Sequence, residues 1–148
     1  LYGQAMLADQ LGRPAEMERL LRELIQREPD YEHAYNALGY SLVDRGERLQ
    51  EAQALIEKAL TLSPNDPLIT DSLGWAYFRQ GRLDLAAQTL ERAYAIKQDP
   101  EIAAHLGEVR WVQGKTAVAI QLVREAIARY PDNAVLKATV KRLGMPLQ

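Results

Sequence analysis

The chain has 148 residues, with 18 Lys and Arg against 20 Asp and Glu and a net charge of −2. At 47% apolar and 26% charged residues it has the composition of an ordinary globular protein one domain long. No basic run points to nucleic acid, no stretch approaches the roughly 18 apolar residues of a membrane span, and the absence of Cys removes disulfides and thiolate chemistry.

Apolar residues recur at three- and four-residue spacing and predict nine helices. The first covers about 1–11 and turns at Gly12; the second opens near Pro14 and covers 14–27. After Pro29 and Asp30 come helices at 31–45 and 49–61, with Gly46 between them. Asp66 and Pro67 lead into 67–80, Gly81 turns the chain, and 83–96 follows. Asp99 and Pro100 open 100–113, Gly114 turns it, and 116–129 and 133–143 complete the series. Asp30, Asp66 and Asp99 stand where a carboxylate accepts unpaired amides. Pro at a first helical position loses nothing, and Gly suits a left-handed helix end. Ala76, Tyr77, Leu83, Ala86, Leu90, Ala93 and Ile96 are expected to form one interleaved apolar surface.

A fixed period runs through these elements. Ala5, Gly39, Gly74 and Gly107 lie 34, 35 and 33 residues apart, and each is followed seven residues later by a turn glycine. A small residue comes next in the second helix at Ala52, Ala86 and Ala119, with Met17 in the degenerate first copy. Such a period signals a stacked helical array, in which each pair buries its faces only against its neighbours.

With Pro29, Pro64 and Pro131 at the exits, and Gln98 followed by Pro100 in the third copy, the pattern resembles the tetratricopeptide repeat (TPR). The resemblance implies an all-α right-handed superhelix of antiparallel helix pairs, spanning 1–148 as a single array. Its repeats fall at about 1–30, 31–65, 66–99 and 100–131. The segment 132–144 departs from the motif; Val135, Leu136, Val140 and Leu143 make an apolar stripe fit for a capping helix that ends the array. Two further departures stand out. One extra residue sits between Gly46 and Ala52, and Arg110 occupies a place normally apolar, where it must snorkel outward or find an acid. The chain starts at Leu1, about three residues inside a first helix and without a signal-like segment. It is therefore expected to be the C-terminal piece of a longer array, able to form a homodimer through an uncovered first helix pair.

Catalysis has little to stand on. His33 and His105 are more than two repeats apart with no second ligand at metal spacing, and Ser41 lacks a nucleophile elbow. Every glycine in a helix or turn of the repeat is accounted for by the repeat, which leaves no phosphate loop. The expectation is no catalytic residue, no metal and no cofactor.

In the resembled family the first helix of each pair lines a concave groove. Carried onto this sequence, those positions are Tyr2, Met6 and Asp9; His33, Asn36, Tyr40 and Asp44; Asp71, Trp75, Phe78 and Arg79; Glu108 and Trp111. For Trp75 and Trp111 two readings compete. As anchors of a bound peptide they stay accessible in the free protein; as filling between first helices they are buried. Chaperone-binding members hold a peptide carboxylate with Lys, Asn and Arg, but the matching positions carry Tyr2, Met6, Ala37, Leu68 and Ser72, so that clamp is absent. The resemblance implies a non-catalytic scaffold for a protein or extended peptide; the alternative is a structural self-association module. The wording of Ala34–Tyr40, Asp71–Trp75 and Pro100–Glu108 is similar to the C-terminal end of large proteobacterial TPR proteins. Many of these are exported or outer-membrane lipoproteins, and some are adaptors for periplasmic C-terminal processing proteases. That implies a periplasmic or membrane-tethered setting, with the cytoplasm left open.

Overall fold

The computed structural model describes residues 1–147. Among them are nine α-helices: α1 Tyr2–Gln10, α2 Pro14–Arg27, α3 Glu32–Arg45, α4 Leu49–Leu62, α5 Pro67–Arg79, α6 Leu83–Ile96, α7 Pro100–Val112, α8 Thr116–Arg129 and α9 Ala134–Leu143. None is long and apolar enough to cross a membrane. The helices pair in chain order and stack into a TPR superhelix, with first helices α1, α3, α5 and α7 in one layer and second helices in the other.

The pairs are held by close approach. A Cβ added at Gly39 would lie 2.6 Å from Ile56 Cγ1 and 2.9 Å from the Ala52 carbonyl oxygen. At Gly74 it would meet Leu90 at 2.6 Å, and at Gly107 it would meet Val123 at 2.5 Å. These glycines are fixed by contact with the second helix, while the turn glycines are fixed by backbone conformation. The core is accordingly a chain of overlapping clusters with no single centre: Ala5, Leu21 and Leu38; Leu42, Ile56 and Ile69; Leu90, Leu106 and Val109; Val123 and Leu136.

Local signals set the helix ends. The Asp66 carboxylate accepts from Leu68 N at 2.8 Å, and that of Asp99 accepts from Glu101 N at 2.9 Å. Asp30 does not cap: α3 begins one residue later with Tyr31 at its boundary and has no side-chain cap bond. The Tyr35 hydroxyl instead donates to Pro29 O at 2.8 Å and ties down that entry. Ile96 also departs from expectation, being exposed at the last turn of α6. The extra residue of the second copy is absorbed by Arg48, whose φ of 45° makes it the lone described non-glycine in the left-handed region. Its guanidinium grips Glu18 on α2 at 2.7 and 3.0 Å, and Glu18 also pairs with Arg22 at 2.8 Å. Hydrogen bonds from Arg48, more than the opposing effect of burial, hold the Glu18 carboxyl at about 2.

The α9 segment covers the last pair. Leu136 is fully buried and Met145, just after Gly144, is nearly so; both join Ala103, Ala119 and Val123. Val135, Val140 and Leu143 pack against the same cluster from the edge. Arg142 of α9 forms a two-pronged ion pair with Glu108 of α7 at 3.0 and 2.5 Å.

At about 25 cal/mol per Å², a helix face of a few hundred Å² is worth on the order of several kcal/mol before entropy. Deleting the chain from Asp132 onward should lower the melting temperature and cause aggregation; unchanged melting and solubility would show the segment to be a mere tail. Glu18 gives a pH signature. Its folded value lies below the ordinary carboxylate value of about 4.3, so its contribution is full above that pH and is lost as pH falls toward 2. The melting deficit of Glu18→Gln should be largest above about pH 5 and shrink on acidification. A deficit independent of pH would rule out the ion cluster as its source.

Candidate functional site

The inner faces of the first helices enclose one cavity of about 340 Å³. Tyr2, Met6 and Asp9 come to it from α1, Asn36, Tyr40 and Asp44 from α3, Asp71 from α5 and Glu101 from α7. Contributions from all four first helices mean that the array curves tightly enough to draw α1 and α7 around one space. Ala37, Leu68 and Ser72 also line it, so all five positions matched to the chaperone clamp face this cavity, with apolar or neutral side chains. Leu68 is 45% exposed, and the Asn36 side-chain oxygen is buried without a hydrogen-bond partner.

One wall is braced by an internal ion pair. His105 Nδ1 lies 2.9 and 3.0 Å from the two carboxylate oxygens of Asp71, and both residues are buried. Burial opposes the charged imidazole, but Asp71, with Glu101 and Glu108 behind it, outweighs burial and raises the pKa of His105 above its ordinary value. Nε2 lies 3.5 Å from the Tyr40 hydroxyl, whose own pKa burial raises. Tyr40, Asp71 and His105 thus link α3, α5 and α7 into a charged brace.

Several residues expected in the groove sit elsewhere. Trp75 is only 7% exposed; its ring stacks on His105 at 4.1 Å and on half-buried Phe78 at 4.7 Å. The expectation of an accessible Trp75 fails because the curvature lays α7 over it. Trp111 is half-buried and packs against the cluster that α9 covers. Glu108 is buried under Arg142. Arg79 turns back to the preceding repeat and donates to Asp44 O at 3.3 Å, beside Gly46, where a Cβ would strike the guanidinium at 2.8 Å. It neutralises a helix C-terminus instead of serving as a groove cation. His33 is exposed outside the cavity, 3.3 Å from Glu32 and against the rings of Tyr2 and Tyr31, well separated in role from Ser41 on the cavity wall. Arg110 finds its acid in Glu91 at 2.8 Å.

The sequence reading overlooked the Asp71–His105 and Glu108–Arg142 pairs. Each spans 34 residues, one period, so the signal was an acid and a base at the same register of successive first-layer helices.

Comparison with known proteins agrees with the geometry. The tetratricopeptide repeat family model matches residues 2–67, 47–101 and 72–134. The chain is 49% identical over 143 residues to the TPR repeat-containing protein PA4667 of Pseudomonas aeruginosa, covering 97% of this chain and 24% of that protein. It is 28% identical over 138 residues to the mouse protein O-mannosyl-transferase TMTC1, covering 90% of this chain and 14% of that one. The chain thus spans about a quarter or less of the curated relatives it matches. Among solved structures, the thermophilic TPR protein TTC0263 of Thermus thermophilus superposes with a TM-score of 0.85 at 22% identity, over 98% of this chain and 80% of that one. On its repeats, its glycine contacts and these matches, the chain belongs to the tetratricopeptide repeat family.

Proposed function

We propose that the chain is a non-catalytic scaffold that receives a segment of a partner protein in the cavity between its first helices. TPR arrays as a class mediate protein–protein interactions, and the observation that carries the reading here is the makeup of this cavity. Accessible apolar surface from Met6, Leu68 and the rim of Tyr2 surrounds hydrogen-bonding groups of Asn36, Ser72 and Tyr40. Such a mixture suits an extended chain, which offers side chains and main-chain amides together. The partner-binding residues of this reading are Tyr2, Met6, Asn36, Tyr40 and Asp71, with Ala37 and Leu68 added. A narrower role, as an adaptor that brings substrates to a periplasmic C-terminal processing protease, draws on the resemblance of Ala34–Tyr40, Asp71–Trp75 and Pro100–Glu108 to large proteobacterial TPR proteins, many of them exported.

A crosslinking pull-down with the full-length protein in its native cell identifies the partner and tests the adaptor role, which predicts co-capture of a protease and its substrate. Met6→Ala combined with Leu68→Ala should then weaken that partner by about 2 kcal/mol, the range of interface hot spots, when affinity is measured per folded molecule. Trp75→Ala should instead lower stability by roughly 3–5 kcal/mol, as deletion of a buried Trp does. Full affinity in the Met6/Leu68 variant would remove the cavity from the binding surface.

A second reading, self-association, is favoured by one observation. Leu7 on α1 and Leu11 just after it are 54% and 56% exposed beside Leu1 and Leu20. An apolar face of this kind favours association. Light scattering should show dimers that grow with concentration and vanish in Leu7→Lys/Leu11→Lys; a strict monomer at high concentration excludes this reading.

A further inference from the structure

The charge around the cavity is one-sided once its internal pairs are removed. Asp9, Arg13, Asp44, Arg45, Asp71 and Glu101 are the charged residues that line it. Both arginines face acids that are not part of the lining. Arg13 lies 3.8 Å from Glu16, while Arg45 lies 3.2 Å from Glu47 and 3.7 Å from Glu18 and donates to Ser41 O. Asp71 is taken up by His105, whose Nδ1 lies 2.9 Å from its carboxylate. What remains is Asp9 on α1, Asp44 on α3 and Glu101 on α7. All three are exposed, and among the described residues none of their carboxylates has an ion-pair partner. Arg79, the nearest further cation, contacts the main-chain oxygen of Asp44 and makes no ion pair with its carboxylate.

Carboxylates distributed on three helices around an apolar middle, with low-dielectric walls to focus their field, attract positive charge. From this charge complementarity we propose that the cavity selects a cationic segment of a partner protein, one that seats an apolar side chain against Met6 and Leu68 and presents Lys or Arg to Asp9, Asp44 and Glu101. The inference rests on the reading of the cavity as a peptide groove and adds the chemistry of its occupant. The same arrangement disfavours acidic segments and free C-terminal carboxylates, which would meet three unpaired anions.

The test uses two blocked decapeptides with the same Gly and Ser background and one Leu and one Tyr each, one carrying three Lys and the other three Glu. Each is titrated into the isotopically labelled chain while amide shifts are followed. The Lys peptide should move the amides of Asn36, Tyr40, Leu68 and Asp71 and bind at least about tenfold tighter than the Glu peptide, as a few exposed ion pairs allow. The preference should fade as salt shortens the Debye length to about 3 Å. It should also disappear in Asp9→Asn/Asp44→Asn/Glu101→Gln, with the amide spectrum of the free variant showing that the array remains folded. Equal binding of both peptides at these amides, or preference for Glu, overturns the cationic inference and leaves the groove. If neither peptide moves these amides, both fall together.

Discussion

Three glycines hold the helices of successive pairs at a separation that no side chain would allow. With a Cβ at Gly39, Gly74 or Gly107 placed within 2.5–2.6 Å of Ile56, Leu90 or Val123, the crossing point of each pair is fixed by contact and not by hydrophobic area alone. Everything else is hung from those crossings. The opposite edge of each first helix is turned away from its partner, and four such edges make the concave wall. The first pair has Ala5 at this position, still fully buried, against Met17 where later copies have alanine. It is the loosest statement of the motif, and its outer face leaves Leu7 and Leu11 more than half exposed.

Curvature is the second constraint, and here side-chain charge takes part. Asp71–His105 and Glu108–Arg142 both connect residues one period apart, so each pair bridges neighbouring helices of the inner layer. The first stands beneath the cavity and carries Trp75 stacked on its imidazole; the second fastens α9 in the place that a further first helix would fill. Breaking the buried Asp71–His105 pair costs more than its formation contributes, since a buried polar group is left without its partner. The inner layer is thereby biased toward a single spacing, which is what a groove of fixed shape requires.

Much of this was legible in the sequence, and what was not has a physical reason. Helix ends fell within a residue or so of expectation because Gly, Pro and Asp act locally: Asp66 and Asp99 cap as they should, and Gly46 ends α3 in the left-handed region. Asp30 does not cap because α3 starts one residue further on, with Tyr31 at its boundary. Tyr2, Met6, Asp9, Asn36, Tyr40 and Asp44 reach the cavity as register alone requires, whereas His33 on α3 lies outside it. Trp75, Glu108 and Trp111 do not reach it, because register says which side of a helix a residue occupies but not how closely the next helix approaches. That distance depends on the sum of all crossings, and here it is short enough to bury Trp75 under His105. Arg79 was misplaced by a different effect: a long side chain reaches the unpaired carbonyls of a neighbouring helix end, a target visible only once the repeats are stacked.

Packing uses nearly every motif residue, which leaves the cavity positions free to differ in chemistry without disturbing the fold. That freedom explains how the positions of a cationic clamp hold Tyr2, Met6, Ala37, Leu68 and Ser72 here on an otherwise regular array. It also explains the placement of charge. Arg22, Arg45 and Arg48 gather around Glu18 at the junction of α2, α3 and α4, where they reinforce the stack across the extra residue of the second turn. Arg110 and Arg142 serve similar junctions further along. With so many of its cations used to join repeats, a chain of net charge −2 keeps three unpaired carboxylates, Asp9, Asp44 and Glu101, around the concave opening. The electrostatic character of that opening is therefore a consequence of how the stack is held together, as much as of the residues that line it.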